Sequence, residues 1–191
     1  MRWICLDPGD KRTGVAISSP EGTFAIPVMV LEHDRRGASA ARIEELLTEH
    51  GAGGLLIGLP LRMNGSHSTQ TSAALSFAFR IAAHFGTVPE PPPGIDLSGI
   101  AHAYTERDAC REHRRPVVRV QLWDERLSSW DAQRSVNSGA REGRTRRDRR
   151  PALDAHAATI ILQSYLDASA AGASYQQDSS TSDASSSDSR D

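Results

Sequence analysis

RWICLDPGDKRTGVAISS, residues 2–19, is the stretch that decides how this chain folds. Arg2–Leu6 is short and apolar on both faces, the pattern of a strand buried between two layers. Asp7-Pro8-Gly9 is then expected to turn the chain, and Gly14–Ser18 reads as a second strand. Phe24–Leu31, bounded by turn residues, reads as a third. Three successive strands with short connections make a meander. Beyond it the pattern alternates. Ala38–His50 predicts a helix with Ile43, Leu46 and Leu47 on one face and Gly51 as its C-terminal cap. Gly54–Leu59 reads as a buried strand ended by Pro60. Ser68 or Thr69 caps a helix to about Phe85, with Leu75, Phe79 and Ala82 inward. Val117–Trp123 is a further strand, Ser128 or Ser129 caps a helix to about Ser138, and Pro151 starts a last helix to about Ala168. This order predicts an α/β fold, a mixed five-stranded sheet flanked by helices.

The chain has 191 residues, 38% of them hydrophobic, which suits one domain with a core that needs no disulfide or structural metal. We place that domain at residues 1–168. It contains an irregular insertion over about 86–116, which opens with Pro89, Pro91, Pro92 and Pro93. Residues 169–191 are Ser, Ala, Asp, Gln and Gly with almost no large apolar side chain, so a disordered acidic tail is expected. The two cysteines, Cys5 and Cys110, are 105 residues apart, and no Cys/His spacing suits zinc. No apolar run approaches the roughly 18 residues of a membrane helix. Asp7 interrupts the only apolar run near the N-terminus, so no signal peptide is expected. These features predict a cytoplasmic protein without membrane contact.

The formal net charge of -2 hides an asymmetry. The tail carries Asp178, Asp183, Asp188 and Asp191 against Arg190, whereas residues 141–150 (REGRTRRDRR) hold six arginines against Glu142 and Asp148. Lys11 is the single lysine. Arginine's planar fork suits phosphate, although a codon bias explains the overall preference equally well. The local cluster points to nucleic acid approaching this part of the chain.

Asp7 stands at the end of one predicted strand, Asp124 and Glu125 at the end of another, and Asp154 in the first turn of the last helix. Carboxylates from three separate elements can converge at one sheet edge, where hard cations such as Mg²⁺ or Mn²⁺ find oxygen ligands. A metal site of that kind can activate water against a phosphodiester. An acidic residue near a helix start also serves as a dipole partner, so spacing alone leaves both roles open.

Four blocks in order carry a more specific signal: ICLDPGDKRTGVAISS at 4–19, GLLIGLPLRMNGS at 54–66, VQLWDERLSSWDAQR at 120–134 and LDAHAATIILQSYLD at 153–167. Together they resemble the YqgF family of pre-16S ribosomal RNA nucleases, in the Holliday-junction-resolvase-like group. The resemblance covers most of residues 2–85 and 117–167. It implies a ribonuclease H-like fold and a metal-dependent nuclease. The family's acidic site would fall on Asp7, Glu125 and Asp154, as catalytic residues and as ligands of Mg²⁺ or Mn²⁺. Its basic residues would fall on Arg12 and Arg126, with Lys11 beside them and Arg144, Arg146 and Arg147 in the loop cluster as further nucleic-acid contacts. Glu125 rather than Asp124 is expected to face the site, because neighbouring strand residues alternate. The chain departs from related resolvases at Ala157, where they place a further acidic residue.

The expected function is endonucleolytic processing of the 5′ end of precursor 16S rRNA in ribosome biogenesis. Two alternatives stay open. One is a Holliday junction resolvase-like nuclease acting on branched DNA; the other is a non-catalytic nucleic-acid-binding factor in ribosome assembly or transcription. The oligomeric state, monomer or homodimer, is open as well. A third reading, an actin-like ATPase, is opposed by length and by the lack of a second phosphate loop, and absence of ATP binding would close it.

Overall fold

Trp3–Pro8 (β1) forms the middle of a five-stranded sheet in the computed structural model, which describes residues 1–33, 37–97, 118–127 and 155–171. The other strands are Arg12–Ser18 (β2), Ala25–Glu32 (β3), Gly54–Leu59 (β4) and Arg119–Asp124 (β5). Their order is β3-β2-β1-β4-β5. β1, β2 and β3 run antiparallel as a meander, while β4 pairs parallel with both β1 and β5. The carboxyl ends of β1, β4 and β5 therefore share one edge of the sheet. Helices Ala40–His50 (α1), Thr69–His84 (α2) and 155–171 (α3) flank the sheet, and a 3₁₀ turn, Glu125–Leu127, follows β5. This is the mixed, helix-flanked α/β architecture expected from the sequence.

Each face of the sheet has its own core. Ile4, Leu6, Val15, Leu55, Ile57, Val120 and Leu122 pack with the buried sides of α1 and α2. Trp3, Cys5, Leu56 and Trp123 point the other way and meet Ala158, Ile161, Leu162 and Leu166 of α3. Alternation along each strand divides its side chains between the faces. This is why β1 and β4 read as continuous apolar runs rather than as alternating ones. Each fully buried Leu or Ile contributes about 1.5–3 kcal/mol. Tyr165 closes the second core, edge-on to Trp3 at 4.9 Å and to Trp123 at 5.2 Å between ring centroids.

The helix ends follow their local chemistry. Ser68 caps α2: its hydroxyl accepts the Thr71 N–H at 3.1 Å, while the Thr71 hydroxyl accepts the Ser68 N–H at 2.9 Å. Gly51 ends α1 with φ of 60°, in the left-handed region that glycine enters without strain.

Several boundaries differ from expectation. β1 does not turn at Asp7 but continues through Pro8, with Asp7 opposite Gly14 and Pro8 opposite Thr13. Pro8 lacks an N–H, yet the last position of a strand tolerates that loss. The reversal is tighter, closed by the Gly9 N–H on the Arg12 carbonyl at 2.8 Å. β3 carries an irregularity opposite Val15/Ala16, where Met29 and Pro27 pair with successive residues and Val28 is skipped. α3 is helical to residue 171, past the expected end at Ala168. The start of the proline-rich insertion is irregular as expected, but it is not detached. Glu90 bridges to Gln121 at the outer side of β5, donating its N–H to Val120 and accepting that of Leu122, both at 2.8 Å. Its carboxylate takes both Nε and Nη2 of Arg119, at 2.9 and 2.6 Å. The helix expected over 128–138, the rest of the insertion and the tail from 172 lie outside the described residues.

Candidate active site

The carboxyl edge of the central strands carries two acidic side chains on the α3 face. Asp7 follows Cys5 on that face of β1. Glu125 lies two residues beyond Trp123, in the single 3₁₀ turn Glu125–Leu127 that follows β5. β4 runs between them, and its residue there is Gly58. A Cβ at Gly58 would stand 2.7 Å from Glu125 Oε1 and 3.0 Å from Ile161 Cδ1. The missing side chain is what lets the Glu125 carboxylate lie over β4 towards Asp7. Gly58→Ala is expected to push Glu125 aside and to lower stability by about 1–3 kcal/mol, the usual size of an overpacking penalty. Thermal denaturation checks the second effect. A metal titration followed by the protein's melting temperature checks the first.

The two carboxylates are electrostatically joined. The Glu125 pKa is raised from 4.5 to about 8, first by burial, then by the negative charge of Asp7, then by that of Asp124. The buried Cys5 thiol beneath them is pushed well above its ordinary value by burial, and further by Asp7 and Glu125. Two crowded carboxylates of which one resists ionisation form a hard-oxygen donor pair that a divalent cation would relieve of its repulsion. The donor chemistry therefore fits Mg²⁺ or Mn²⁺. Among the described residues no cluster of three or more His, Cys, Asp or Glu is complete enough to hold a metal. Asp154, the third carboxylate expected from the resemblance, lies outside them.

Asp124 has a different task. It is 3% exposed and accepts Arg126 Nε at 2.9 and 3.0 Å, Nη2 at 2.6 Å and the Arg126 backbone N–H at 3.0 Å. Arg126 in turn directs Nη1 at the carbonyls of Arg62 and Met63, at 3.3 and 3.4 Å. The guanidinium expected at a phosphate is thus engaged with an aspartate and a neighbouring loop. An acid followed two positions later by arginine, where a strand gives way to a tight turn, is the signal that reveals such a fork.

Lys11 is exposed in the β1–β2 reversal. Arg12 lies two residues before Gly14, on the face that carries Asp7, and its Nη2 stands 3.4 Å from Glu32 Oε1 at the sheet's outer strand. Both basic residues thus sit near Asp7 along the chain. Arg144, Arg146 and Arg147 lie outside the described residues. Gly58 was legible only as part of a strand; its role follows from the Glu125 carboxylate above it.

Known proteins resemble this chain over most of its length. The family model RuvX, described as Holliday junction resolvase, matches residues 1–91 and 101–168. A relative from Pelotomaculum thermopropionicum, named "Putative pre-16S rRNA nuclease", is 32% identical over 169 residues, with 87% of each chain covered. One of the same name from Symbiobacterium thermophilum is 32% identical over 171 residues, covering 90% of this chain and 95% of its own. Among solved structures, T. thermophilus RuvC in complex with Holliday junction substrate has a TM-score of 0.46 at 12% identity, covering 90% of this chain and 96% of that one. The matched span includes all four blocks that carry the resemblance, and the chain belongs to the RuvX family of Holliday junction resolvase-type proteins.

Proposed function

We propose that this protein is a divalent-metal-dependent endonuclease that trims the 5′ end of precursor 16S rRNA in the cytoplasm. The observation that carries the reading is the Asp7–Glu125 pair, brought together from the end of β1 and the turn after β5 at one sheet edge, with the Glu125 pKa raised to about 8. A catalytic metal at this edge would supply activation of water and charge neutralisation at the scissile phosphate. Asp7 and Glu125 provide oxygen ligands for it, with Asp154 as the third from the family resemblance. Lys11 and Arg12 hold phosphate oxygens beside the carboxylates, and Arg144, Arg146 and Arg147 offset the negative charge of the approaching strand. The names of the relatives support RNA as the substrate.

A second reading is favoured by the description of the family model: cleavage of branched DNA. A four-way junction presents two equivalent strands, so that activity needs a homodimer, whereas RNA trimming works from a monomer. The test offers a precursor 16S rRNA fragment and a four-way DNA junction in parallel, with Mn²⁺ or with EDTA. Manganese-dependent cutting of the RNA supports the proposal. Cutting of the junction alone moves the substrate to DNA. Retained binding with neither substrate cut moves the protein to a binding role in ribosome assembly.

A further inference from the structure

The loop after β4 is held in an unusual way. Residues 62–66 close on themselves: the Gly65 N–H donates to the Arg62 carbonyl at 2.7 Å, the Arg62 N–H to the Ser66 carbonyl at 3.1 Å, and the Ser66 N–H to Asn64 Oδ1 at 3.0 Å. Behind it the Thr71 hydroxyl, at the start of α2, donates to the Pro60 carbonyl. From the other side Arg126 Nη1 donates to the Arg62 and Met63 carbonyls, while Asp124 grips the rest of the same guanidinium. The tip so fixed carries Met63, which is 88% exposed, flanked by exposed Arg62 and Asn64.

A buried carboxylate is tolerated only when its charge is met, and here one arginine meets it with four contacts. Neither Asp124 nor Arg126 belongs to either apolar core. What their pairing achieves is to join the turn that carries Glu125 to the loop that carries Met63. We propose that Asp124 and Arg126 are positioning residues that lock the 62–65 loop beside the carboxylate edge, so that Met63 lies against a base or sugar of the bound RNA. A thioether on an unbranched stem packs against aromatic faces of any base. The inference rests on the nuclease reading for its ligand, but the lock is a property of the free protein.

The test has two arms. In the free protein, hydrogen exchange of the 61–66 amides is expected to accelerate about tenfold in Arg126→Gln and Arg126→Lys, with β1 and β4 unchanged, because a lysine cannot replace the fork. Asp124→Asn is expected to match them; should it fail to fold, the exposed Arg126 variants still decide the point. In the second arm a labelled RNA stem-loop is bound in EDTA over a salt series. Asp124→Asn, Arg126→Gln and Met63→Ala should each weaken binding several-fold with the salt slope unchanged, and Met63→Ala should leave loop exchange as in the wild type.

A direct phosphate contact predicts the reverse. Asp124→Asn would free the guanidinium and tighten binding, and Arg126→Gln would reduce the salt slope by about one unit. Either result, or unchanged exchange in both Arg126 variants, overturns the proposal. A wild-type protein that binds no RNA overturns Met63's role together with the nuclease reading. Loss of the lock shows in exchange alone, so the two failures are distinguishable.

Discussion

In EDTA, Glu125→Gln is expected to be markedly more stable than the wild type at pH 8.5 and nearly equal to it at pH 4. The folded protein holds the Glu125 proton up to a pH of about 8, whereas the unfolded chain releases it near 4.5. Between those values the native state binds more protons, so stability falls as the pH rises. The contribution is fully present below pH 4.5 and is gone above about 8. A shift of that size corresponds to a ceiling of about 5 kcal/mol, reduced by the solvent that reaches a half-buried group. Glutamine keeps the shape and has no charge to suppress, so its profile should be flatter. Denaturant unfolding at a series of pH values reads the difference directly, and parallel curves for the two proteins would refute it. Millimolar Mn²⁺ should return the missing stability to the wild type at pH 8.5, by about 2.7 kcal/mol at one hundred times its dissociation constant, and should do so only weakly for the glutamine variant.

Asp7→Asn should leave the fold and most RNA binding in place while lowering cleavage by on the order of 10²–10³-fold or more, the size of losing one preorganised electrostatic group. The amide occupies the same volume, and position 7 lies at the end of β1, where the backbone pairing with Gly14 does not involve the side chain. What disappears is one negative charge at the carboxylate edge. Lys11 and Arg12 remain, so affinity for phosphate should hold or rise slightly. Glu125 should also ionise at a lower pH, because the Asp7 charge is the second largest cause of its displacement. Single-turnover cleavage with Mn²⁺, measured beside RNA binding in EDTA, separates these effects. Turnover within tenfold of the wild type would remove Asp7 from the chemistry.

The legible parts of the molecule are those where local pattern and tertiary role coincide. The apolar runs of β1 and β4, the Gly51 cap and the inward stripe of α2 are each dictated by a few neighbouring residues, and the structure places them accordingly. Asp7 and Glu125 could be singled out because both stand at the ends of buried apolar runs. The misread boundary at Pro8 has a different origin. An Asp-Pro-Gly run signals a turn, but pairing with Thr13 and Gly14 holds the first two residues in the sheet. Arg126 shows the same limit at a functional level. Its engagement with Asp124 is local, yet the carbonyls it reaches belong to a loop more than sixty residues earlier in the chain. Glu90 was invisible as a pairing residue because a bridge of one residue between prolines leaves no periodicity to detect.

That single bridge has a consequence for how the protein behaves in crowded solution. β5 lies at the margin of the sheet with both of its faces covered, the kind of strand on which another extended chain could add. Glu90 occupies the Val120 carbonyl and the Leu122 N–H from outside. The residues on either side of it, Pro89 and Pro91, have no N–H to offer onward. Pairing is accepted at this margin and then terminated. At this margin the segment acts as a chain stopper, leaving a neighbouring molecule no free Val120 carbonyl or Leu122 N–H on which to pair.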